Sequence, residues 1–351
     1  MAELQPPKNP KYLVFFHNGC PDGVCAAAVA EHYVLKTEHR GGPEILQLIP
    51  TDPGKVTDTI IGIHAKFPDA QNVLMFDIAL RQADFDKLLE LFPKAQAFDH
   101  HQTSVDVRRH PQFELDTRVS GAELAWRHFY PNVKQPALVD YIGDRDTWKW
   151  KLPNSREVAK YMAGHLPTTM IQCSSHIATN PVWLNHLLTD SWVTAAVSEG
   201  AALTQYENTL LKRMAARHVA CMINNKLVAV LEASELQSEV GELLYNAEGK
   251  LEKEFHGIPA GTSFRYSYVI MWCYDSNDGM IRLSLRSGHT PFKVTGASGD
   301  TIWDGPADVE KIASTYKGGG HKAAAGGKCT VQQLMEYILG ARAPTELRIN
   351  V

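Results

Sequence analysis

The chain has 351 residues, 44% hydrophobic and 21% charged, with a formal net charge of −4. That length exceeds what one hydrophobic core usually organises, so two domains are expected. The slightly acidic balance argues against a general basic surface for long duplex nucleic acid, but not against a short or mononucleotide substrate whose phosphates are met by metal ions.

No apolar run approaches the ~20 residues needed to span a membrane. The opening MAELQPPKNPK lacks the apolar stretch of a secretory signal. The six cysteines form no C-x-x-C pair and suggest neither a disulfide framework nor a zinc finger. A reducing, cytoplasmic setting is the expectation.

In chain order, YLVFF (Tyr12 to Phe16) reads as a short strand running into the polar loop HNGCPDG. CAAAVAEHYV follows as a helix, and ILQLIP as a second strand. NVLMFD is a third strand, QADFDKLLELF an amphipathic helix, and AQAFD a fourth strand. GAELAWRHFY and ALVDYIGD carry apolar residues at helical spacing. From Pro181 to His218 the pattern is that of a long helical connection with the domain boundary inside it. KLVAVLEA, FRYSYVIMWCYD and GMIRLSLRS are β-rich, while DVEKIASTY and TVQQLMEYILGA are helix candidates. Strands alternating with helices imply βαβ units and a parallel sheet. The expected architecture is α/β: an N-terminal, doubly wound, mainly parallel domain (1–185), a helical linker (186–218) and a smaller mixed α/β domain (219–351).

In such sheets ligands bind outside the carboxyl ends of the strands. Three predicted strands end in metal-type ligands. The first runs into His17, with Asp22 five residues on; the third ends at Asp77; the fourth ends at Asp99, His100 and His101. A helix then leads to Asp144 and Asp146. Nitrogen and carboxylate donors with at most one sulfur suit Mn, Mg, Fe or Co. Gathered carboxylates repel unless cations lie between them. Two divalent ions sharing a carboxylate would solve this, and such a pair clamps a phosphate for hydrolysis.

These motifs resemble those of the DHH phosphoesterase superfamily, whose triplet is Asp99-His100-His101 here. HNGCPDG, MFD and GDRDTW stand in the order of its other motifs. RLSLRS followed by DVEKIASTYKGGGHKAAAGG looks like the accompanying DHHA1 domain, so the resemblance covers about residues 10 to 345. It implies one ion on His17 and Asp77, and a second on Asp22, Asp77, His100 and Asp144, with Asp77 bridging. Asp99 would orient a histidine, and His101 would face the scissile phosphate. Two ions are expected, Mn(2+) first, with Mg(2+) or Co(2+) as alternatives.

One departure stands in the first motif, where Cys20 occupies a position often held by aspartate. Its thiolate either replaces the carboxylate or simply packs. Asp146 is the rival of Asp144. In the second domain Gly319, Gly320 and His321 of KGGGHK, read as a glycine-rich loop, and Arg286 would bind substrate phosphate. The expected activity is metal-dependent hydrolysis of a small phosphoester: a short oligonucleotide, dinucleotide or bisphosphonucleoside. Polyphosphate or pyrophosphate hydrolysis is the alternative, as is a nucleotide-binding regulator without catalysis. A membrane partner is not expected.

Overall fold

The computed structural model describes residues 10–38, 45–52, 54–107, 109–166, 181–254, 258–340 and 347–349. Two compact units divide the chain, Met1–Gln205 and Tyr206–Val351.

The first unit is built on five parallel strands: β1 (Tyr12–His17), β2 (Leu46–Thr51), β3 (Asn72–Phe76), β4 (Gln96–Asp99) and β5 (Phe113–Leu115). Their spatial order is β2-β1-β3-β4-β5. β1 is buried on both faces, which is why it reads as a continuous apolar run rather than an alternation. Leu13 and Phe15 enter one core with Val73 and Met75. Val14 and Phe16 enter the other with Leu74 and Phe76.

The helices cover both faces. α1 (Pro21–Glu38) starts with proline at its first position, where a missing N–H costs nothing. Its run Cys25 to Ala30 is fully buried, and small side chains let the helix lie close to the sheet. α1 shares its core with α4 (Gly121–Phe129), α5 (Ala137–Asp146) and α6 (Ser155–His165). α2 (Val56–Lys66) and α3 (Gln82–Leu91) supply Val56, Ile60, Phe85 and Leu88 to the opposite core. Neither α2 nor β5 is among the elements expected from the sequence. The connections leave β1 toward β2 on one side and β3 on the other. This reversal opens a crevice at the carboxyl ends of β1 and β3, where doubly wound sheets bind ligands.

α7 (Pro181–Leu188) and α8 (Trp192–Ala215) follow, and the division between units falls within α8. No helix among the described residues is long and apolar enough to cross a membrane.

The second unit contains β6 (Val219–Ile223), β7 (Lys226–Glu232), α9 (Gln237–Asn246), β8 (Gly249–Leu251), β9 (Ser263–Phe264), β10 (Tyr268–Asp275), β11 (Met280–Arg286), β12 (Phe292–Thr295), β13 (Thr301–Gly305), α10 (Val309–Ser314), β14 (Gly319–His321), β15 (Ala324–Cys329), α11 (Val331–Gly340) and β16 (Leu347–Ile349). Its main sheet has the order β14-β15-β11-β10-β7-β6 and is mixed, with β10 parallel to β7 and the other pairs antiparallel. One face packs on α9, and the other on α10 and α11.

The glycine-rich segment is a hairpin rather than a loop. Gly319, Gly320 and His321 form β14 and pair with Gly326, Ala325 and Ala324 of β15. A Cβ on Gly320 would lie 2.6 Å from the Ala324 carbonyl oxygen, and its φ of +143° is one that side-chain-bearing residues avoid.

Candidate metal centre

The crevice brings together residues from five places in the first unit. His17 is the last residue of β1, and Asp77 follows β3 directly. Asp99 closes β4, with His100 and His101 next in the chain. Asp22 lies on the first turn of α1, not in a loop, and Asp146 is the last residue of α5.

His100 Nε2 lies 3.0 Å from Asp77 Oδ1, 3.4 Å from Asp146 Oδ2 and 3.6 Å from Asp22 Oδ2. On its other side Asp77 presents Oδ2 at 3.4 Å from His17 Nδ1. Two groups of potential ligand atoms result: Asp22, Asp77 and His100, and His17, Asp77 and His101. Asp77 belongs to both. Cys20 belongs to neither group, although it lies in the field of the same carboxylates.

Asp77 sits in the left-handed region, with φ of +58°. For a non-glycine residue this is uncommon and strained, and such strain concentrates at functional sites.

His101 Nδ1 is 2.7 Å from Asp99 Oδ1, and Asp99 Oδ2 accepts the Ser104 hydroxyl at 2.5 Å. Asp99 therefore orients His101. Ser104, in a 3-10 turn and fully buried, is a supporting residue that the sequence reading missed.

Burial opposes charge throughout the site. For His100 the nearby carboxylates prevail: the hydrogen bond to Asp77 and the charges of Asp146, Asp77 and Asp22 push it up to about 10. Asp99 likewise outweighs burial and carries His101 up to about 9. Asp77 is held well below the usual carboxylate range by the hydrogen bond from His100, the proximity of His17 and the charge of His101, despite its burial. Asp22 and Asp146 are raised, first by burial and then by the neighbouring carboxylates, with His100 acting against them. Burial and the charges of Asp77, Asp146 and Asp22 push the Cys20 thiol up in the same way.

Three carboxylates around one imidazole, opposed by protons alone, make a site short of positive charge. Asp77 Oδ2 is moreover buried with no hydrogen-bond partner among the described residues. Such an atom is costly unless something else binds it. An oxygen and nitrogen donor set of this kind fits hard divalent ions.

Asp144, expected as a ligand, lies outside both groups. Its Oδ1 accepts the Lys151 N–H at 2.9 Å, while Oδ2 accepts the Leu152 N–H at 3.2 Å and the Ser155 hydroxyl at 2.5 Å. That carboxylate pins the chain after α5, and Asp146 faces the histidines in its place. The two variants should therefore separate. Asp144→Asn is expected to lower stability by about 1–3 kcal/mol. Asp146→Asn is expected to keep the fold and weaken metal uptake, read by thermal melts with and without added Mn(2+).

Two glycines shape the site. Gly121 begins α4, where the Gly121 and Ala122 N–H groups donate to Asp22 Oδ2 and Oδ1 at 2.6 and 2.9 Å. The helix N-terminus thus holds Asp22 in place. A Cβ at Gly121 would come within 2.5 Å of the Asp77 Cβ. Gly121→Ala is expected to displace Asp77, costing about 1–3 kcal/mol and most of the thermal shift induced by metal. Gly23 packs against the backbone of His17 with the same lack of room. Both glycines lay outside the sequence-predicted set.

In the second unit, Arg286 and His321 each stand opposite Ala324, on either side of β15. Directly opposed residues share a sheet face, so Arg286 and His321 lie on one face, two strands apart. The Arg286 guanidinium donates to Ser284 Oγ, the Leu285 carbonyl and Ser238 Oγ at 3.0, 2.9 and 3.0 Å, which fixes its orientation.

No family model matches the sequence. An uncharacterized protein of Acanthamoeba polyphaga mimivirus is 25% identical over 343 residues, covering 92% of this chain and 69% of that protein. Among solved structures, a DHH domain described as a member of the s1p family of ribosomal proteins superposes with a TM-score of 0.55 at 13% identity, covering 95% of this chain and 86% of that one. RecJ from Thermus thermophilus, in complex with Mn2+, superposes with a TM-score of 0.43 at 14% identity, covering 92% of this chain and 50% of that one. With its parallel five-stranded unit and its mixed-sheet unit, the chain shares the fold of that DHH-domain structure.

Proposed function

We propose that the protein is a metal-dependent phosphoesterase hydrolysing a small phosphoester, such as a short oligonucleotide, dinucleotide or bisphosphonucleoside. The observation that carries this reading is the double-sided Asp77. One oxygen faces His100, the other faces His17, and the latter oxygen has no hydrogen-bond partner among the described residues. A carboxylate placed this way is suited to bridge two ions.

His17, Asp22, Asp77, His100 and Asp146 would hold the pair, with Mn(2+) favoured and Mg(2+) or Co(2+) as alternatives. When bound, two such ions supply a nucleophile at neutral pH and spread the charge of the attacking and leaving oxygens. The protein does the rest. Asp99 holds the His101 ring by Nδ1 and keeps it protonated near neutrality. His101 then donates a proton to the leaving oxygen. Arg286 and His321, with the Gly319 and Gly320 backbone, are assigned to a phosphate of the substrate.

The test is a Mn(2+)-supplemented activity panel over bisphosphonucleosides, dinucleotides, short oligomers, pyrophosphate and polyphosphate. Turnover of a nucleotide member is the expected result. Turnover confined to the inorganic members would replace the substrate class. Inert protein with metal bound would replace hydrolysis by a regulatory role.

A further inference from the structure

Beyond Asp146 the chain does something that neither the fold nor the ligand set requires. Trp148, Trp150 and Asn154 all adopt the left-handed conformation, with φ of +53°, +52° and +53°. Repeated strain of this kind persists only where surrounding contacts enforce it. The Asp144 carboxylate supplies them by tying down Lys151, Leu152 and Ser155.

The outcome is an ordered stack of rings and cations. The Arg145 guanidinium lies 4.5 Å from the Trp148 ring and 5.7 Å from the Trp150 ring. Arg156 lies 4.3 Å from the Trp150 ring. The two indoles meet edge to face, with centroids 4.9 Å apart. Trp150 packs against the core of the first unit. Trp148 belongs to none of the core clusters and is half-buried. Lys149 and Lys151 are exposed beside it, and Lys149 Nζ donates to the Arg118 carbonyl at 2.7 Å.

A tryptophan kept out of the core, in a strained conformation and braced by the Arg145 guanidinium, is poorly explained as packing. Only Thr147 separates it from Asp146, so their Cα atoms are at most about 7.6 Å apart. Indole faces stack nucleobases with little sequence preference, and flanking cations take the phosphates.

We infer that Trp148, braced by Arg145 and Trp150, is a stacking platform for the nucleobase next to the scissile phosphate, with Lys149 and Lys151 placed for a neighbouring phosphate. The position of the scissile phosphate rests on the phosphoesterase reading; the recognition of a base does not. This platform would select nucleotides over polyphosphate.

The experiment is a calorimetric titration of the full chain, with Mn(2+) present, using AMP and ribose 5-phosphate. Trp148→Ala is expected to weaken AMP binding about tenfold more than ribose 5-phosphate binding, the range that stacking of one base gives. Trp148→Phe should restore most of the difference, and retention of the Mn(2+)-induced thermal shift reports an intact fold. For a cleaved dinucleotide, Trp148→Ala should raise KM and leave kcat nearly constant. Equal weakening of both ligands, or no binding preference of the wild-type protein for AMP over ribose 5-phosphate, overturns the platform. Base discrimination without hydrolysis of any phosphoester upholds the platform and sinks the phosphoesterase reading. Hydrolysis without base discrimination does the reverse.

Discussion

Asp77→Asn is expected to lower phosphoester hydrolysis on the order of 10³-fold or more. Even residues outside a metal's direct reach typically cost roughly 10–100-fold in affinity or activity per site when lost. Asp77 belongs to both ligand groups, so its loss acts on two sites at once. Asparagine keeps the volume of the side chain and tolerates the left-handed conformation, so the backbone at φ +58° has no reason to move. The substitution removes the charge that holds His17 and His100 and little else. Circular dichroism should match the wild-type protein while kcat at saturating Mn(2+) collapses. A variant with near-normal turnover would show that Asp77 bridges nothing.

The second large effect concerns pH. Without metal, His100 and His101 titrate at about 10 and about 9 against an ordinary value of 6.5. A histidine raised on folding contributes stability in full below its unfolded value, and loses it as pH rises through the folded one. The metal-free protein should therefore melt at progressively lower temperature between pH 7 and 10. Asp77 and Asp99 are lowered, so their contribution is present above the ordinary carboxylate value and is lost in acid. Asp22 and Asp146 are raised and oppose it, since their ionisation in the folded state is unfavourable. A divalent ion held by the proposed site would take the place of the His100 proton. Binding of Mn(2+) should release that proton, and affinity should rise by up to about tenfold per pH unit for each proton displaced. Titration in buffers of different ionisation enthalpy counts the protons. Affinity unchanged between pH 7 and 9 would mean that His100 does not ligate.

The outline of the fold was legible because the buried strands of a parallel sheet carry an unmistakable apolar run. YLVFF, ILQLIP, NVLMF and AQAF all became neighbours in one sheet. The three strand-end positions of the site followed, since a doubly wound sheet gathers its carboxyl ends. Other features depend on three-dimensional facts that a linear pattern does not carry. Asp144 and Asp146 are two apart on a helix, so they point about 200° apart, and only the roll of α5 decides which one faces His100. That roll is set by packing on α1, α4 and α6, not by local sequence. Gly121 lies 99 residues from Asp22, and its Ser-Gly-x-Glu context reads simply as a helix start. Its second role, as a spacer beside Asp77, needs the fold to be seen. β5 has three residues, too few for an alternation. Glycine is depleted in strands, so KGGGHK reads as a loop in the sequence. Here it pairs because the close approach of β14 to β15 leaves no room for a Cβ at Gly320.

The proposed centre has two ions sharing Asp77. Anomalous diffraction at the manganese edge, on crystals of the wild-type protein grown with Mn(2+), tests it most directly. Two peaks roughly 3.5–4 Å apart, one on each side of the Asp77 carboxylate, are the predicted result. One peak between Asp22 and His100 alone, or peaks away from Asp77 altogether, would contradict it.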